Sequence, residues 1–142
     1  MDYSKENWLG PFMKRIYRNM TNIHDKKLAK HDLTTSQVGV LSQLWNEDGQ
    51  THTELVEKLG IRAASLTGIV DVLIRKEWVV KKQDKKDARI KRLYVTEAGK
   101  ALEEVSLTAA MEMEAQLTEG FSKEELAMLR MWLKRLYQNV EN

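Results

Sequence analysis

The sequence predicts a mainly α-helical fold with one small β-hairpin, set directly after two helices joined by a tight turn. Three observations predict it. Apolar residues recur at helical spacing through most of the 142 residues. Thr34/Gln37, Thr51/Glu54 and Ser122/Glu125 each have the spacing of a capping box, which marks a helix start. Two short β-prone runs, 78–82 and 90–95, flank a segment too polar for any core.

Taken in order, residues 8–31 read as the first helix. Pro11 falls in its first turn, where a missing N–H is harmless. Leu9, Phe12, Met13, Ile16, Met20 and Ile23 form its apolar stripe, with Trp8 and Tyr17 beside it. His31-Asp32-Leu33 breaks the period. The box at Thr34 opens a second helix to about Trp45, with Val38, Leu41, Leu44 and Trp45 inward. Residues 46–50 read as a loop.

Thr51 opens a third helix, in which Leu55, Val56 and Leu59 share a face. Gly60 ends it, because glycine accepts the left-handed conformation of a C-terminal cap. A fourth period starts at Arg62 and buries Leu66, Ile69, Val70, Leu73 and Ile74. Its other face carries Ala63, Ala64, Thr67, Gly68, Asp71 and Arg75, small and polar enough to let another surface approach closely. Gly68 costs about 1 kcal/mol against alanine in mid-helix. Arg62 stands where a small polar cap is preferred and where the helix dipole is already positive. A bound phosphate or base edge would relieve both misfits.

The hairpin then follows. Residues 75–92 hold nine Lys/Arg and three acids, a local charge of +6. A basic hairpin directly after a helix-turn-helix pattern points to nucleic acid, where the same hairpin alone would read as a solvated loop. Residues 97–118 read as one long helix with a stripe of Ala98, Leu102, Val105, Ala109, Met113 and Leu117. Gly120-Phe121 breaks it. The last helix carries Leu126, Leu129, Leu133, Leu136 and Val140 at coiled-coil-like spacing, with Trp132 and Tyr137 alongside.

Composition narrows the function. The chain has the length of one domain, with 42% hydrophobic and 31% charged residues. It has no cysteine, so disulfides and thiol redox sensing are excluded. Its start has no apolar signal region and no apolar run approaches membrane-spanning length, so a cytoplasmic protein is expected. Residues 97–125 carry eight acids against two lysines, −6 in all. A basic middle and an acidic later part would turn one end toward a polyanion. His24, His31 and His52 show no metal-ligand spacing, and His24-Asp25 reads as a surface pair. There is no Gly-rich phosphate loop and no nucleophile elbow. No catalysis, metal or cofactor is expected.

Helix-turn-helix, then Asp84-Lys85-Lys86-Asp87-Ala88-Arg89, then Leu93-Tyr94-Val95-Thr96-Glu97-Ala98-Gly99, resembles the MarR family of bacterial transcription regulators. That family's wing reads Asp-x-Arg-Asp-x-Arg, followed by Leu-x-Leu-Thr-x-x-Gly. Lys86 replaces the first arginine and Val95 the second leucine. Lys86 keeps the charge without the bidentate fork.

The resemblance implies a winged helix-turn-helix over 34–96, with 1–33 and 97–142 as dimerisation helices of one 142-residue domain. It implies a homodimeric regulator, a repressor by expectation, on a pseudo-palindromic operator with half-sites about 10 bp apart. Arg62, Ala63, Ala64, Ser65, Thr67 and Gly68 would lie nearest the bases. Lys82, Lys85, Lys86, Lys91 and Arg92 would hold phosphates, and Arg89, braced by Asp87, would enter the minor groove. A small aromatic or phenolic effector is expected against Phe12, Met13, Ile16, Tyr17, Met20, His24, Trp45 and Met113, a cluster that plain core packing would also explain. The alternatives are a winged helix used only as a protein-interaction module and a small helical enzyme. The basic wing argues against the first, the lack of convergent polar residues against the second.

Overall fold

The computed structural model describes residues 5–141. A 3₁₀ turn, Lys5–Asn7, precedes α1 (Leu9–Ala29), α2 (Thr35–Asn46), β1 (Gln50–Thr51), α3 (His52–Leu59) and α4 (Ala63–Arg75). Then come β2 (Val79–Gln83), β3 (Lys91–Val95), α5 (Glu97–Lys100), α6 (Leu102–Leu117) and α7 (Lys123–Val140). The fold is the expected one, mainly helical with a small antiparallel sheet. All three capping boxes form, each with side chain and backbone bonded reciprocally. Gly60 closes α3 at φ 62°, in the left-handed region that suits glycine. Among the described residues no helix is long and apolar enough to cross a membrane.

The core lies where α2, α3 and α4 pack against the sheet. Leu41, Leu44, Leu55, Leu66, Leu73, Val79 and Leu93 are buried there, joined from the α1–α2 corner by Leu28 and Leu33. Fully burying one such side chain stabilises by about 1.5–3 kcal/mol. α4 turns Leu66, Val70 and Leu73 inward. The other side of the helix is thereby left in solvent.

Three elements differ from expectation. Residues 46–50 are not all loop, because Gln50 and Thr51 pair with Leu93 and Arg92 to make a third strand, in the order β1-β3-β2. Gln50 is polar yet 2% exposed. Its Nε2 donates to the Gln43 and Glu47 carbonyls at 2.7 and 2.6 Å, supplying donors to the end of α2.

The long helix over 97–118 is broken at Ala101. The Gly99 carbonyl accepts the Trp45 indole N–H at 3.0 Å, and a side chain inserted into the helical ladder breaks it. A Cβ on Gly99 would overlap the Trp78 carbonyl oxygen, so α5 lies tight against the entry to β2. The expected stripe holds at Leu102, Val105 and Ala109, which pack on the core, while Ala98 before the break is exposed and Gly99 and Ser106 are buried.

His24-Asp25 is no surface pair. Asp25 Oδ1 accepts both the backbone N–H and the hydroxyl of Thr35 at 2.7 Å, fastening α1 to the start of α2.

α1 packs along α6, with Lys27 Nζ 3.2 Å from Glu112 Oε2. Its first half projects Trp8, Leu9, Phe12, Met13, Ile16 and Tyr17 into solvent, each about half exposed or more. α7 contributes no buried residue at all.

Candidate nucleic-acid interface

The wing loop is organised by Asp84. The register of β2 and β3 ends at Gln83 opposite Lys91, and the loop closes as the Asp84 N–H donates to the Ile90 carbonyl at 2.8 Å. One carboxylate oxygen of Asp84, Oδ2, accepts the Lys86 and Asp87 amides at 3.0 Å each. This is the local bonding that makes aspartate a turn residue. The other, Oδ1, accepts Arg92 Nε at 2.7 Å. These bonds, that from Arg92 foremost, hold the Asp84 carboxyl below the ordinary aspartate range.

Asp87 repeats the device one step out. It takes Arg89 in a fork, Nε on Oδ1 at 3.0 Å and Nη2 on Oδ2 at 2.8 Å, and also accepts the Arg89 amide. The fork lowers the Asp87 carboxyl and raises the Arg89 guanidinium. Arg89 stays 89% exposed despite the pairing. The arginine at the loop tip is aimed and displayed at once.

Arg92 is already engaged within the fold. It was expected to hold a phosphate, but its Nε is on Asp84 and its Nη1 donates to the Gly49 carbonyl at 2.9 Å, with Glu54 Oε2 3.9 Å away. The residue is half-buried and braces the wing against the start of β1 and α3. Its cross-strand partner Lys82 is a like charge on the same face. Lys82 turns to the Tyr94 ring at 5.5 Å, and the acids around Arg92 offset the repulsion. Once the register is known, Asp84 and Arg92 pair naturally across the hairpin end, but the spacing alone does not disclose it.

Arg62, Ala63, Ala64, Ser65, Thr67 and Gly68 all lie on the exposed face of α4. Arg62 is its N-cap without a side-chain capping bond. Lys85, Lys86 and Lys91 are exposed on the wing. A concavity of about 630 Å³ joins the two parts, bordered by Thr51 of β1, His52 of α3, Thr67 and Asp71 of α4, and Lys81 and Arg89 of the wing. Sequence reasoning passed over Asp84 as the loop's organiser and His52 as a neighbour of Thr67.

The expected effector residues are only partly assembled. Ile16, Met20 and Met113 line a hollow of about 270 Å³ where α1 meets α6. Tyr17, Met20, His24 and Met113 line an adjoining one of about 130 Å³, together with Thr21 and Thr35. Phe12 and Met13 line neither hollow and are exposed. Trp45 is elsewhere, packed on the core with its indole on Gly99, and does not belong to the set.

The MarR family model matches residues 33–91, the span from the start of α2 through the wing loop to the first residue of β3. The HTH-type transcriptional regulator YpoP of Bacillus subtilis is 32% identical over 99 residues, 70% of this chain and 67% of that protein. The chain belongs to the MarR family. Another relative, MhqR of Bacillus subtilis, is 28% identical over 130 residues, covering 91% of this chain and 89% of the relative. Among solved structures, a mutant of Escherichia coli MarR complexed with operator DNA superposes with a TM-score of 0.79 at 25% identity, over 90% of this chain and 92% of that one. This MarR-family chain is a winged-helix, DNA-binding transcriptional regulator. The match ends at residue 91, so Arg92, the strut, lies just past it.

Proposed function

We propose that the protein is a homodimeric repressor that occupies a pseudo-palindromic operator and is released by a small apolar, aromatic effector. The observation that carries the DNA half is the shared border of wing and helix: Arg89, forked on Asp87, and Thr67 of α4 flank one concavity on the exposed side of the helix-turn-helix. In this reading residues 34–96 form the DNA-binding part and the helices before and after it the dimerisation part. The N-terminal half of α4, Arg62 to Gly68, enters the major groove. Lys82, Lys85, Lys86 and Lys91 hold phosphates and set register. Arg89 enters the minor groove, where narrow A·T tracts attract it. Arg92 positions the wing and touches no phosphate. Operator DNA in the Escherichia coli MarR complex supports the same docking here.

The dimer reading rests on the rows of large apolar residues that α1 and α7 each leave in solvent. Effector binding rests on the hollows walled by Met20 and Met113, since methionine suits adaptable pockets. A ligand wedged between α1 and α6 would act by favouring a separation of the two recognition helices that does not fit the operator, and it must bind that state better. The protein works in the cytoplasm without a catalytic step of its own.

A gel-shift series with DNA flanking its own gene, at rising salt, tests the reading. Tight binding to one pseudo-palindromic fragment that falls steeply with salt is expected. No binding to any fragment at low salt would replace it with a protein-interaction role for the winged helix.

A further inference from the structure

Thr67 stands on the exposed face of α4, but its hydroxyl is already engaged. Thr67 Oγ1 lies 3.0 Å from the Ala63 carbonyl oxygen, one turn back, and 3.0 Å from His52 Nε2. A hydroxyl has one proton to give and two lone pairs to offer. A carbonyl cannot donate, so the Thr67 proton goes to Ala63 and His52 must be the donor to Thr67. The Nε2–H tautomer supplies that donor. His52 is the first residue of α3, whose start is fixed by the Thr51 capping box. The imidazole is therefore anchored from a different helix than the residue it holds.

The consequence is a change in what Thr67 can read. Its donor is spent and one lone pair is filled, and its χ1 is pinned from two sides. What is left unengaged is one lone pair, which can only accept, and the γ-methyl. We infer that His52 is a specificity-determining residue for operator recognition, acting by locking Thr67 so that it presents a methyl rather than a hydroxyl donor, and that the base opposite is a thymine read through its C5-methyl. Apolar contact with that methyl is one of the few major-groove signals that needs no hydrogen bond. This rests on the docking proposed above, with the exposed face of α4 in the major groove.

The test replaces thymines of the footprinted operator one at a time by deoxyuridine, which lacks only the C5-methyl. The readout is the ratio of affinities for the two DNAs within a single protein preparation, so the fraction of correctly folded protein cancels. The parent protein should show one sensitive thymine per half-site, with a ratio of about fourfold, equivalent to about 0.8 kcal/mol for one buried methyl. Thr67→Val, which carries a methyl at both γ positions in a stiff helical rotamer and so presents one without the lock, should retain the ratio. Thr67→Ser, which keeps the hydroxyl and removes the methyl, should bring it to one. His52→Ala should lower it by unpinning the side chain. A ratio lost in Thr67→Val or kept in Thr67→Ser overturns methyl readout, and a ratio unchanged in His52→Ala overturns the part given to His52. A parent that binds its operator tightly yet ignores every thymine methyl defeats this inference alone, whereas a parent that binds no DNA defeats the docking beneath it as well.

Discussion

Arg92 Nε meets Asp84 Oδ1 at 2.7 Å, and through this pair the wing is tied to the body of the fold. The same guanidinium reaches the Gly49 carbonyl between α2 and β1. The same carboxylate holds two amides at the start of the wing loop. One carboxylate therefore joins the loop's own bonding to the strut that reaches Gly49.

Salt dependence separates bracing from phosphate contact. Removing a phosphate contact lowers the slope of log K against log salt by about 1. Lys86→Ala should do so. Arg92→Leu should weaken operator binding several-fold and leave the slope unchanged, because its charge is used inside the protein. Fluorescence anisotropy at four or five salt concentrations measures both, and a slope reduced in Arg92→Leu would return that residue to the phosphate contacts.

Arg89 should matter through direct contact. Arg89→Ala should lower operator affinity by roughly five- to a hundredfold if the arginine reads the minor groove. Asp87→Asn keeps the shape of the carboxylate and loses its charge, so the fork weakens and a smaller loss follows. Both losses should shrink on an operator whose A·T positions near the wing are changed to G·C, because the wider groove attracts arginine less. Operator affinity in Arg89→Ala equal to the parent's would end the wing's role in DNA binding.

The wing should also carry an acid limit. Asp84 and Asp87 are both lowered, by Arg92 and Arg89 respectively, so their folded values lie below the ordinary aspartate value of about 3.9. For a lowered carboxyl the stabilisation is present above the unfolded value and lost as pH falls through the folded one. Carboxyl-carbon NMR shifts should therefore titrate below those of a free aspartate. The Lys86, Asp87 and Arg89 amides, which donate to these carboxylates, should keep their shifts from neutrality down to about pH 5 and move only in that acid step. Movement near pH 6 would point to another group.

Gly99 tests the packing that broke the long helix. Alanine there would overlap the Trp78 carbonyl and bring its Cβ to 2.7 Å from Val95 Cγ1. Backbone cannot yield as a side chain can, so Gly99→Ala should cost roughly 1–3 kcal/mol. That corresponds to a fall of about 3–10 °C in Tm. Gly68→Ala meets nothing within 4 Å and should leave Tm unchanged or raise it. Its effect should appear in operator binding instead.

Much of this was legible in the residues, for a physical reason. Capping boxes and Gly60 act within a single turn, so Thr34, Thr51 and Ser122 marked their helices without tertiary information. The exposed face of α4 followed from periodicity. What stayed hidden depends on partners distant in sequence. Gln50 is buried because helix-end carbonyls need donors, and a glutamine in a polar run gives no sign of that. The helix break needs Trp45, 54 positions before Gly99. Arg92 looked like one more basic residue until the register set it beside Asp84.

The apolar faces of α1 and α7 supply the last test. α7 carries Met128, Met131, Trp132, Leu133 and Tyr137, all about half exposed, and buries nothing of its own. A charge placed there cannot disturb the core around Leu41 and Leu73, so Leu133→Glu should fold with the helix content of the parent. If the face joins two copies, sedimentation should show a dimer for the parent and a monomer for Leu133→Glu. The monomer should bind a single half-site weakly, because each copy offers one α4 and one wing, and the spacing of about 10 bp between half-sites is read only by a two-fold pair. Restoring an apolar residue with Leu133→Met should restore both dimer and full-operator affinity. A parent that sediments as a monomer at micromolar concentration and still binds the full operator tightly would mean that this face serves something other than a second copy of the chain.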